Sequence, residues 1–473
     1  DLIRENLGEF FKGYKIKESC MFRVLRDSEL AFEEEYAPNL LKAMEKELKK
    51  RPTAQVVHVQ VEEGASTELV EALCAGIEFS KEEVNFTGGD LDLSYLWELS
   101  AAIDRPDLHF TSFSPAKIPY DHIFEKIKDG DFITHLPFQS FFPAVDLVAA
   151  AAKDPDVLAI KMTLYRTNED SAIIKALMEA AKRRKQVTVV VEIKARFEEE
   201  KNIQWARELE AAGCHVIYGI AGLKIHSKMT LVVRKEEGRI RRYVHLSTGN
   251  YNEKTARLYT DIGYFTANDD FARDIADVFN VITGYSLPSP WKRVISSPHD
   301  LRKYFFDLID KEIAAQQEHK NGSIMAKMNS LEDPQMIEKL YEASRAGVGI
   351  KLLVRGICAL VPGVKGLSEH VEAHSIVGRF LEHSRMYIFN NNADPRVFLS
   401  SADWMTRNFD RRIELLFEIA KPEIKTHVQF IMENYWKDSS KSRVLGADKL
   451  HTRPNAQDGD FNAQEYFINH YTR

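Results

Sequence analysis

Cysteines, long apolar runs and any excess of positive charge are what this 473-residue chain has least of. Its four cysteines, Cys20, Cys74, Cys214 and Cys358, lie far apart, with no CxxC pair and no histidine at zinc-ligand spacing. That excludes a disulfide scaffold and a zinc ribbon, and predicts reduced thiols in an intracellular, cytoplasmic protein. No run approaches the roughly 18 apolar residues of a membrane span. The alanine-rich stretch 145–152 is interrupted at Asp146 and stopped by Lys153, so neither a transmembrane helix nor a signal peptide is expected. The pattern GxxxxGK[ST] does not occur, which removes P-loop chemistry, and no compact Asp/Glu motif offers a metal cage. Lys and Arg number 64 against 71 Asp and Glu, a formal charge of −7, which excludes a uniformly basic polyanion binder. The first residue is Asp1 rather than methionine, and a segment upstream of it is expected.

The charge that is there is unevenly spread. Residues 1–112 carry 13 basic and 23 acidic side chains, leaving 51 and 48 for the rest. Between 222 and 257, nine Lys/Arg face three Glu, so the average conceals a local cationic region.

Residues 1–112 hold strand-like segments at 21–25 and 56–61 around a charged helical stretch, 40–50, and no catalytic constellation. Ser112, Pro115 and Pro119 mark a boundary. From 157 the chain reads strand, helix, strand, helix, strand: 157–165, a helix capped by Asp170 with Ile173, Leu177 and Ala181 on one face, then 187–193, 198–212 and 215–220. The order restarts with a strand at 323–329, a helix opened by Asp333 and Pro334 and stopped by Gly347, and a strand at 350–354. Such alternation implies parallel pairing with right-handed crossovers. The predicted fold class is α/β: two tandem domains of mixed sheets flanked by helices, 113–293 and 294–473, preceded by a smaller α+β domain, 1–112. The polar residues 441–473 read as a tail or a loosely docked end.

Both tandem domains repeat one local pattern. The first has Lys224-Ile225-His226-Ser227-Lys228, and later Leu246-Ser247-Thr248-Gly249-Asn250; the second has Leu381-Glu382-His383-Ser384-Arg385, and later Leu399-Ser400-Ser401-Ala402-Asp403. Eleven residues beyond Asn250 and Asp403 stand Asp261 and Glu414. His-x-Lys within a strand sets imidazole and ammonium on one face. A neutral imidazole there can attack phosphorus while Lys228 holds phosphate oxygens, with Ser247, Thr248, the Gly249 backbone and Asn250 as further donors. Asp261 or Glu414 would accept a ring N–H and fix the tautomer; which acid serves which histidine stays open. His58 and His245, without such partners, read as structural histidines.

The duplicated pattern resembles the phospholipase D superfamily, in which two such units share one site. It departs from the usual H-x-K-x4-D: Val233 and Asn390 stand at the Asp positions, and Arg385 replaces Lys. Longer stretches, LAIKMTLYR at 158–166, VVVEIKARF at 189–197, 222–228, 248–261, 353–356 and SSADWMTRN at 400–408, resemble polyphosphate kinase. That resemblance implies reversible transfer of the terminal phosphate of ATP to inorganic polyphosphate through a phosphohistidine on His226. It implies that His383 assists transfer and meets the nucleotide phosphates, and that Tyr259 and Arg355 contact ATP. It also implies a Mg²⁺ site beside Arg166 and Arg196, which as cations would clamp phosphate rather than ligate metal. ATP/ADP and polyphosphate are the expected partners, with no nucleic acid, and the resemblance implies a dimer and a further N-terminal module. The competing readings are a phospholipase D-like phosphodiesterase or nuclease using the same histidines, and a non-catalytic polyanion binder using Arg239–Arg242 and Arg407–Arg412.

Overall fold

The computed structural model describes residues 2–27, 40–165, 171–193, 199–220, 222–284, 290–454 and 459–472. The chain divides into two compact units, Asp1–Thr111 and Ser112–Arg473. In the first, Val56–Glu62 pairs antiparallel with Phe22–Arg26 and parallel with Asn85–Thr87. Val56, Val59 and Val61 point into a small core closed by Val70 and Cys74 of the helix Thr67–Ile77. Ser66 caps that helix by accepting from Leu69 N at 3.3 Å.

The second unit is a duplicated α/β architecture. Its first sheet runs, in spatial order, Phe132–Leu136, Tyr259–Thr266, Arg239–Ser247, Lys228–Glu236, Val157–Leu164, Gln186–Val191 and His215–Ile217. The second runs Val294–Ser296, Leu415–Glu418, Arg396–Ser400, Arg385–Phe389, Ser323–Met328, Gly349–Val354 and Val371–Ile376. Position for position the two orders match, and so do the directions: the first four strands pair antiparallel and the last three parallel. The central parallel strands carry apolar runs because helices cover the sheet, as with Val189, Val190 and Val191, all buried. Side-chain alternation divides Arg385–Phe389 between two cores. Met386 and Ile388 join Met229, Leu231, Ile262 and Tyr264 of the first half, whereas Tyr387 and Phe389 pack on the outer layer with Phe305 and Trp404. The two halves are thus joined by a continuous core, with Tyr264 stacked on Phe417.

Two expectations change. The helix Ala172–Lys182 is capped by Ser171, while Asp170 lies outside the described residues. The C-terminal residues are not a loose end. Ser442–Leu445 extends the second sheet, and the helix Ala463–Thr472 buries Ala463, Gln464 and Phe467. Few apolar residues suffice there because Phe467 meets Phe138 and Tyr435, and Tyr471 bonds to His427 at 2.8 Å. No described helix is long and apolar enough to cross a membrane.

Candidate active site

Each histidine sits where its chain crosses between halves. Lys224–Ile225 pairs in parallel with Arg412–Ile413, and the backbone N–H groups of His226 and Ser227 both donate to Ile413 O at 3.0 Å. The chain then joins its own sheet at Lys228. In the other half Leu381–Glu382 pairs in parallel with the start of Tyr259–Thr266, and the chain rejoins its own sheet at Arg385. His-x-Lys/Arg is therefore not one continuous strand, as the sequence pattern suggested: each histidine occupies the break between two strand segments.

This crossing swaps the acids. His226 Nδ1 lies 2.9 Å from Glu414, and His383 Nδ1 lies 2.9 Å from both oxygens of Asp261. An ionised carboxylate can only accept, so opposite ionised Glu414 and Asp261 each ring carries its proton on Nδ1. Each imidazole is held by the opposite half, which answers the question left open by the spacing. Ser401 donates to Glu414 at 2.6 Å and Thr248 to Asp261 at 2.7 Å. Ser247 Oγ accepts from Gly249 N at 3.0 Å. Thr248 is thus engaged in orienting the acid, and the Gly249 amide is held by Ser247. Gly249 itself is needed for space: a Cβ there would overlap the Asp261 carboxylate. Gly249→Ala is expected to lose about 1–3 kcal/mol of stability and to loosen His383, checked by thermal unfolding and turnover.

The two histidines differ at Nε2. That of His383 accepts from Arg385 Nη1 at 3.1 Å, whereas among the described residues that of His226 has no hydrogen-bond partner. Tyr165 sets its ring edge-on to His226, centroids 5.0 Å apart, and Lys228 Nζ lies 5.3 Å over the same ring and donates to His226 O. Burial, with the charges of Lys228, Arg412 and Arg385, holds the His226 pKa well below its ordinary value, so the ring is neutral. Burial pushes Glu414 up to about 7 against the pull of Arg412 and Lys228, and brings Lys228 down to about 7 against Glu414. Asp261 stays below the usual carboxylate range because His383, Thr248 and Arg385 outweigh its burial.

From Arg385 a buried relay runs to the edge of the site. Arg385 Nε and Nη2 reach Asp403 at 3.2 Å. Asp403 accepts from Asn329 N at 2.7 Å, and Asn329 Oδ1 accepts from Arg355 at 2.7 and 3.1 Å. Tyr259 packs on His383, ring centroids 5.3 Å apart. His226, Lys228, His383, Tyr259 and Arg355 are thus brought to one centre. Among the described residues the buried Oδ1 of Asn250 has no hydrogen-bond partner. Arg166 and Arg196 lie outside the described residues. Sequence reasoning missed Arg412, 3.7 Å from Glu414, by grouping it with the basic face Arg407–Arg412, and missed Asn329 altogether. His245 is structural, bonded to Tyr251 at 2.9 Å with burial lowering its pKa to about 3.

A duplicated α/β fold whose halves exchange acids to orient two histidines among cations defines a class of phosphate-handling proteins. The comparisons narrow that class. Residues 1–99 match the polyphosphate kinase middle domain, 122–288 the polyphosphate kinase C-terminal domain 1, and 294–464 the C-terminal domain 2. The polyphosphate kinase of Lactiplantibacillus plantarum is 46% identical over 96% of this chain, and that of Bacillus anthracis 46% identical over 98%. The chain spans 64% and 65% of those relatives' lengths. The crystal structure of polyphosphate kinase from Porphyromonas gingivalis superposes with a TM-score of 0.84 at 30% identity, covering all of this chain and 70% of that one. The chain belongs to the polyphosphate kinase family.

Proposed function

We propose that the chain transfers the terminal phosphoryl group of ATP reversibly to inorganic polyphosphate, with His226 as the carrier. The observation that carries this reading is the neutral His226 ring, its Nδ1 on buried Glu414 and its Nε2 unengaged among the described residues. In the first step the Nε2 lone pair attacks the γ-phosphorus as the bond to the bridging oxygen breaks, and ADP leaves with that electron pair. The Nδ1 proton stays in place, so the phosphorylated ring is cationic and is stabilised by Glu414. In the second step a terminal polyphosphate oxygen attacks the same phosphorus, the N–P bond breaks, and the neutral ring returns. Such transfers pass through a loose transition state with charge on three oxygens, which suits Arg385 and Arg412 as fixed cations, joined by Lys228 in its protonated form.

Among the described residues no three His, Cys, Asp or Glu side chains gather as metal ligands. The carboxylates of the cleft already face His383, Arg385 and His226. These residues do not fit a resident Mg²⁺ cage. Mg²⁺ is proposed to arrive bound to the substrate phosphates. ATP, ADP and polyphosphate are the proposed substrates, the cytoplasm the proposed compartment and a homodimer the proposed assembly, all supported by family resemblance.

The test is ATP formation from ADP and polyphosphate, which a hydrolase cannot give; ATP should appear with the parent chain, and release of orthophosphate alone would favour the phosphodiesterase reading. The pH dependence is a second check. Glu414 must be ionised to hold Nδ1–H, and its pKa stands at about 7. Phosphorylation of His226 by polyphosphate should therefore slow as pH falls below about 7, and slow again above it as Lys228, also at about 7, loses its proton, so the rate should peak near pH 7.

A further inference from the structure

The second half contains a buried ion pair at a place where the first half has Thr163 and Ile225. Lys327 and Glu382 meet at 2.9 Å, both almost fully buried. Lys327 and Thr163 occupy equivalent places, since Lys327 reaches Ser384 Oγ at 2.7 Å and Thr163 reaches Ser227 O at 2.8 Å. Glu382 corresponds to Ile225, the residue immediately before the histidine. One half thus has a neutral Thr–Ile combination where the other has a charged pair.

Glu382 gathers four elements around His383. Its Oε2 accepts from Thr260 Oγ1 at 2.9 Å, and Thr260 Oγ1 in turn accepts from His383 N at 3.1 Å. Lys327 ties it to Ser384, on the other side of His383. Its Oε1 accepts from Gln464 Nε2 at 2.6 Å. Gln464 comes from the C-terminal helix Ala463–Thr472 and also clamps Phe380, accepting from its N–H and donating to its carbonyl, both at 2.9 Å. Gly378 leaves room for that amide, because a Cβ there would press on it. A cavity of about 10 Å³ between Lys327, Glu382 and Arg355 is near the size of one water molecule and adjoins the relay toward Asn329.

We infer that Gln464, Glu382 and Lys327 are positioning residues for His383, which makes the C-terminal helix a working part of the active site. Buried ion pairs add little net stability, so a pair standing where the other half has Thr163 and Ile225 serves orientation better than folding. Residues flanking His383 on both sides are fixed by one carboxylate, and the helix fixes that carboxylate. The inference rests on the proposed function, run in reverse so that polyphosphate loads His226, and on the family resemblance that sets the nucleotide phosphates at His383.

The experiment separates the two half-reactions. Parent, Gln464→Ala and the double variant Lys327→Met/Glu382→Gln are loaded with polyphosphate, and transfer from phosphorylated His226 to ADP is then followed in a single turnover. Loading should stay within about twofold of the parent, while transfer to ADP falls roughly 10- to 100-fold, the scale of an ångström of misplacement. Circular dichroism reports folding, and the double variant carries the test if Gln464→Ala does not fold. Equal losses in both half-reactions, or no loss in either, would overturn the inference. A parent chain that does not load at all would overturn the proposed function instead.

Discussion

Alanine at His226 is expected to abolish phosphoryl transfer in both directions, with turnover down by about 10,000-fold or more. The size follows from the absence of a substitute. His383 is also neutral, since burial outweighs Asp261 and lowers its pKa, but its Nε2 is already engaged by Arg385 at 3.1 Å. Displacing that guanidinium would also disturb its bonds to Asp403. The variant should remain folded, because Glu414, already raised to about 7, can take a proton once the ring is gone. Initial rates of ATP formation and of polyphosphate formation, measured beside thermal unfolding, check both parts. Residual turnover within about tenfold of the parent would remove His226 from the carrier role.

Glutamine at Glu414 is expected to move activity and stability in opposite directions. Without the charge, Nδ1–H is held weakly and the cationic phosphohistidine loses its counter-ion, a loss of about 100- to 10,000-fold by analogy with neutralising an acid behind a catalytic imidazole. For stability the sign follows from the raised pKa. The folded state holds its proton up to about 7, whereas the unfolded chain gives it up near 4.5. Folding therefore weakens as pH rises through that window, and at about pH 8 the ionised carboxyl costs on the order of 3 kcal/mol. Gln has no proton to lose, so the variant should melt above the parent at pH 8, with the advantage shrinking toward pH 4.5. A parent that melts higher at both values would contradict the burial argument.

Much of the site was legible because the duplication is local. His226 with Lys228 and His383 with Arg385 lie within five residues, and Asp261 and Glu414 stand at the same offset from matching Ser-rich turns. Strand-forming apolar runs such as 187–193 and 350–354 showed the tandem α/β order for the same reason. What could not be read is what depends on pairing across the molecule. Two-residue strands, Lys224–Ile225 on Arg412–Ile413, decide that His226 meets an acid 188 residues away. No periodicity announces so short a strand. Thr248 looked like a phosphate donor because a hydroxyl beside a glycine suits either role, and only the placement of Asp261 shows which it serves. Gln464 was hidden for a related reason: its helix is polar by composition, and the few side chains it buries were selected by Phe138, Glu382 and Phe380, all distant in sequence.

The most direct test is to incubate the chain with Mg²⁺ and either polyphosphate or ATP, then measure intact mass and map the modified residue. Polyphosphate as donor needs no adenine contacts, so loading by this route depends only on the centre described above. The account predicts one acid-labile, base-stable phosphoryl group on His226, absent from His226→Ala and strongly reduced in Glu414→Gln. An acid-stable phosphate, or equal labelling of His226→Ala, would contradict it.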